Sequence, residues 1–155
     1  MDIPRKDWLR ALTAHPAPTL NALADQLAAD GEVTFTRLPQ AGLGLLTLTD
    51  GAFHEPYYLG EFPLSACHIE LVFPNGCRAE GGAQVLADDV ELARSLAILD
   101  AILAARLPGW KQLAKYVQSG AAQRREEDHR RRAVLAATRV DFALLGNAGE
   151  GNDED

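Results

Sequence analysis

A chain of 155 residues, 47% hydrophobic and 24% charged, is long enough to bury one core and too short for two ordinary domains. The formal charge is -7, but Glu150, Asp153, Glu154 and Asp155 crowd the last ten residues, so the body is nearer neutrality and carries no electrostatic footprint for nucleic acid or an anionic membrane. No signal-peptide core opens the chain and no stretch approaches the roughly 20 apolar residues that span a bilayer, so a soluble, cytoplasmic protein is expected.

In chain order, a short helix is predicted over 5–14, presenting Trp8, Leu9 and Leu12 and stopping before Pro16, which cannot continue it. A second is predicted over 19–30, where Leu20, Leu23 and Leu27 recur at helical spacing and Gly31 sits where a left-handed C-cap is wanted. The period then changes from 3.6 to 2. "EVTFTRL", "LLTLTD" and "EPYYLG" read as half-buried strands, followed by strands over 65–73 and 77–84.

Between the last two, "PNG" suits a three-residue hairpin loop with Gly76 at the left-handed bulge position. That register opposes Phe73 with Cys77, Leu71 with Ala79 and Ile69 with Gly81. It sets Cys67 about 20 Å along the ladder from Cys77, beyond disulfide reach, so both cysteines are expected to be free thiols.

Helices resume after residue 87. Asp88 with Glu91 resembles a capping box, and Leu92, Leu96, Leu99 and Leu103 form one stripe ending before Pro108. A shorter helix over 111–118 is predicted to lead through Ser119 and Gly120 into a terminal helix of about two dozen residues. Short links favour an antiparallel sheet. The expected fold is α+β, an antiparallel meander of about five strands with two N-terminal helices and the C-terminal helices packed on it. It forms a single domain over 1–145, followed by a disordered acidic tail over 146–155.

Chemistry is sparse. His15, His54, His68 and His129 lack metal-ligand spacing, and neither a nucleophile motif, GxGxxG nor a Walker A sequence is present, so no catalytic, cofactor-binding or metal-binding residue is assigned. His68 and Glu70 share a strand face and could pair as acid and base, although exposed polar residues on a solvated face explain them as well. In "REEDHRRR", Glu126 with Arg130, Glu127 with Arg131 and Asp128 with Arg132 stand at i, i+4 and describe a self-paired, exposed helix. Asp100 falls at the edge of the leucine stripe and needs a cationic or hydrogen-bonding partner. In "ATRVDFALLG", Arg139 and Asp141 lie two apart and do not face each other on a helix. Each needs its own partner, either within the domain, as Arg139 with Asp100, or on another chain.

The ordered series "RKDWLRAL", "RLPQAGL", "YYLGEFPLSA", "LAILDA" and "TRVDF" resembles the PhnG family, the G subunit of the carbon-phosphorus lyase core complex. Gln40 and Ala87 stand where that family commonly carries an acid and a glycine. The resemblance implies a role in bacterial use of phosphonates, with H, I and J subunits and an ATP-binding L protein as partners and self-association within the complex. It implies an accessory subunit, without independent catalysis, of a transferase complex that displaces adenine from ATP with a phosphonate, giving ribose 1-phosphonate 5-triphosphate. ATP is then a substrate of the complex, and no cofactor is bound by this chain. Trp8, Tyr58, Glu61, Arg139, Asp141 and Phe142 are the expected subunit interface. The alternatives from the residues are a self-sufficient small-molecule-binding domain or enzyme using Glu61, His68 and Glu70, and an oligomeric adaptor unrelated to phosphonates.

Overall fold

The computed structural model describes residues 2–138; Arg139, Asp141, Phe142 and the tail expected over 146–155 lie outside them. A single 3-10 turn, Arg5–Asp7, runs into α1 (Trp8–Leu12), followed by α2 (Ala17–Ala28), β1 (Glu32–Thr49), β2 (Pro56–Val72), β3 (Arg78–Val85), α3 (Val90–Ala104) and α4 (Trp110–Ala137). The strands form one antiparallel sheet in the order β1-β2-β3.

The α+β class holds, but the five expected strands are three. "EVTFTRL" and "LLTLTD" are the two halves of β1, and "EPYYLG" runs unbroken into the strand that ends at Val72. Pro39 and the glycines that follow read locally as a loop. The partner strand decides otherwise, because β2 continues opposite them and β-bulges after Phe35, after Arg37 and between Leu46 and Thr47 absorb the misfit without ending the ladder.

The hairpin from β2 to β3 forms in the expected register. Leu71 opposes Ala79, Ile69 opposes Gly81, and the Phe73 N–H donates to the Cys77 carbonyl. Gly76 takes φ +81°, the left-handed value its bulge position demands, and the Asn75 side chain accepts from the Cys77 N–H. Both cysteines are free, Cys67 buried and Cys77 exposed. Burial also raises the Cys67 thiol pKa, against a smaller opposing pull from Arg94. A thiol-specific chromogenic reagent is therefore expected to titrate one cysteine in the native protein and two in denaturant; rapid reaction of both without denaturant would contradict the burial of Cys67.

One face of the sheet carries Cys67, Ile69, Leu71, Ala83 and Val85, and α3 lies across it with Leu96, Leu99 and Leu103 among its buried residues. The start of α3 is fixed from the sheet. The buried Ser65 hydroxyl donates to the Ala87 carbonyl and accepts from the Asp89 N–H, and Asp89 accepts from the Leu92 N–H. The N-cap is thus Asp89 rather than Asp88, one residue along from the expected box.

Helix α2 ends at an ordinary right-handed Ala29, so Gly31 is not the expected left-handed cap. It is small because a Cβ there would come within 2.8 Å of Leu71. The expected helix break at Ser119 and Gly120 is likewise absent, and α4 is one helix of 28 residues. Gly120 serves the crossing with α1, since a Cβ at that position would stand 2.0 Å from the Ala11 carbonyl oxygen. Arg124, one turn on, donates to the Arg10 and Thr13 carbonyls at the end of α1, where a cation complements the helix dipole.

Asp100, 4% exposed, is held by Arg5, while Arg139, the partner the sequence offered, lies outside the described residues. Two guanidinium hydrogen bonds of 3.1 and 2.7 Å reach its oxygens, and the Gly82 N–H of the edge strand β3 donates to Oδ2 at 3.2 Å. The carboxylate thus ties the chain's start, α3 and the sheet edge together. Asp128 is also diverted, pairing with Arg10 at 2.8 Å in place of Arg132, while Glu126 with Arg130 and Glu127 with Arg131 pair as expected.

Candidate assembly surface

Beyond Ser65 and Val85, β3 stops pairing while β1 and β2 continue to Thr49 and Pro56. About eight residue pairs, some 27 Å of ladder, therefore project as a two-stranded ribbon. Among residues 38–61 none is buried. Within this ribbon Leu43 is 69% exposed, Tyr58 67% and the tip residue Phe53 82%.

Paired residues share a face and successive residues alternate. Leu43, Leu45 and Tyr58 continue the side that α3 covers lower down, whereas Leu46, Leu48, Phe62 and Tyr57 lie on the opposite side. The ring of Phe62 folds over Gly44, where a Cβ would sit 2.4 Å from it, and so covers part of that side. A two-stranded ribbon is marginal alone in water, and one apolar on both sides is a contact surface or a hazard.

The tip is ordered by its own hydrogen bonds. Asp50 accepts from the N–H groups of Ala52 at 2.9 Å and Phe53 at 2.7 Å, which presents Phe53 outward. Those two bonds lower the Asp50 pKa, the one from Ala52 most. A carboxylate with a depressed folded-state pKa adds order above its unfolded value and loses it as pH falls through the folded one. The Ala52 and Phe53 amide resonances are accordingly expected to stay fixed through the ordinary aspartate range and move only at lower pH; a shift centred on the ordinary aspartate value would contradict the turn.

The structure does not gather Glu61, His68 and Glu70 into one site. Glu61 opposes Leu45 on the ribbon, seven residues or about 23 Å from His68 along β2, and faces the opposite side. Glu70 pairs with Arg78 at 3.3 Å. His68 does line a shallow cleft of about 470 Å³ with Lys6, Glu80 and the Arg5–Asp100 pair, where the charges offset one another. Among the described residues no group of three or more His, Cys, Asp or Glu could hold a metal ion, and no helix is long and apolar enough to cross a membrane.

Residues 3–146 match the family model described as phosphonate metabolism protein PhnG. The chain belongs to the PhnG family. A relative from Rhizobium meliloti (strain 1021), named alpha-D-ribose 1-methylphosphonate 5-triphosphate synthase subunit PhnG, is 31% identical over 143 residues, covering 91% of this chain and 87% of its own.

The expected PhnG interface residues fall into three groups. Tyr58 and Glu61 stand on the ribbon. Trp8 is half-buried against the core and its indole N–H donates to the Ile3 carbonyl at 2.8 Å, which gives it internal work. Arg139, Asp141 and Phe142 lie outside the described residues. Sequence reasoning missed Leu43, Leu45 and Phe53. In "GLGLLTLT" the leucines occupy both odd and even positions, a sign that both faces of the strand need covering.

Proposed function

We propose that this chain is an accessory subunit of an alpha-D-ribose 1-methylphosphonate 5-triphosphate synthase in the use of phosphonates as a phosphorus source. It assembles with H, I and J subunits and works with an ATP-binding L protein. In that assembly the I subunit carries out the displacement: a phosphonate oxygen bonds to C1' of the ribose of ATP as the bond from C1' to adenine breaks. Adenine leaves and ribose 1-phosphonate 5-triphosphate forms. ATP is the complex's substrate, and this chain contributes structure.

The observation that carries the reading is the near-full-length relationship to a protein named as a subunit of that synthase. The apolar ribbon supports it physically, since a free-standing enzyme gains nothing from exposing Leu43, Phe53 and Tyr58. The test is adenine release from ATP and methylphosphonate in a mixture of purified subunits with this chain omitted and then restored. Omission is expected to lower the rate at least tenfold, with recovery on addition. An undiminished rate without the chain overturns the reading.

A further inference from the structure

We propose that the β1–β2 ribbon is an insertion arm that seats in an apolar cleft of a different subunit of the synthase, with arginine or lysine side chains of that subunit facing Asp50, Glu55 and Glu61. The inference rests on the subunit reading above and adds the surface and the partner's chemistry.

Three observations carry it. The first is area. Nine large apolar side chains lie exposed between Leu38 and Leu59. At about 150–200 Å² for a fully exposed side chain of this size they present on the order of 1,000 Å², compared with about 800 Å² per partner in a standard interface. The second is shape, because Leu43 and Tyr58 face one way and Leu48 and Tyr57 the other. A flat partner would leave one side wet, whereas a cleft covers both.

The third is charge. No lysine or arginine occurs between Arg37 and Arg78, while Asp50, Glu55 and Glu61 all fall on the ribbon or its tip. A second copy of the ribbon would bring carboxylates against carboxylates, so pairing of two ribbons is disfavoured and a partner with a basic rim is selected. Phe53, presented at the tip by the Asp50 turn, has the character of an aromatic anchor at the deep end of the cleft.

The test uses the full set of synthase subunits co-expressed with this chain, captured through a tag on another subunit, with each recovered protein quantified. Two variants are compared with the intact chain. In one, residues 43–63 are replaced by Asn-Gly, joining Gly42 to Leu64, which already oppose each other. The other keeps full length with Leu43→Ser, Leu45→Ser and Phe53→Ser. Because the ribbon stands clear of the core, both are expected to melt within a few degrees of the intact chain, yet to be captured at less than one tenth of its level. Glu61→Lys is expected to weaken capture several-fold at low salt and by less at high salt. Capture of the serine variant at the intact level overturns the arm. So does a self-dimer of the intact chain that the same substitutions dissolve. If the intact chain itself is not captured, the subunit reading fails and the arm with it, an outcome distinct from failure of the arm alone.

Discussion

Gly81→Ala is expected to be among the most damaging single substitutions in the described residues, although it adds one methyl group. Gly81 lies on the covered face of β3, under α3, and a Cβ there would meet the Ala97 carbonyl oxygen at 2.0 Å and the Ala101 nitrogen at 2.7 Å. Both are backbone atoms of a helix, so no side chain can swing aside and α3 must move as a body. Its stripe would lift from Ile69 and Leu71, the centre of the core. Overpacking of this kind costs about 3 kcal/mol, which for a chain of this size lowers Tm by about 6–12 °C. Gly42→Ala is the matched control, because a Cβ there meets nothing within 4 Å. Thermal unfolding of the two variants checks the account, and equal melting temperatures would contradict it.

Arg5→Ala is the second large effect, for an electrostatic reason. Among the described residues it leaves the Asp100 carboxylate, 4% exposed, with only the Gly82 N–H as partner. Removing one member of a buried pair costs about 3–5 kcal/mol, but the Arg5 side chain is 57% exposed and its attraction is screened, so a loss of about 2 kcal/mol is expected. Asp100→Ala removes the charge and leaves the Gly82 N–H without its acceptor, a cost of about 1–3 kcal/mol. Hydrogen bonding to Asp100 and its charge raise the Arg5 pKa further, so the guanidinium remains ionised across the working range. The double variant should lose less than the two singles added together. Strict additivity in chemical denaturation would show that the pair does not act as a unit.

What was legible in the sequence was what depends on neighbours along the chain. The register from Phe73 to Cys77 follows from strict alternation on either side of "PNG", and the leucine stripe of α3 from a 3.6-residue period. What was not legible depends on residues brought together from far apart. Pro39 and Gly42 look like strand breakers until β2 is laid beside them, and Gly120 looks like a helix end until α1 crosses it. Asp100 found its cation 95 residues away, in Arg5, and Asp128 chose Arg10 over its helical neighbour Arg132. For the surface, the sequence pointed to Tyr58 and Glu61 but not to Leu43, Leu45 and Phe53. Nothing local distinguishes a leucine facing a core from one facing a partner; only the absence of β3 and α3 above that part of the ladder does so.

Membership of the synthase is read out by native mass spectrometry of the chain tagged at its own locus and isolated from its host grown on a phosphonate as sole phosphorus source. One assembly is expected, in which this chain accompanies other synthase subunits in fixed proportion, with little free chain. Recovery of the chain by itself, from extracts that retain synthase activity, would contradict it.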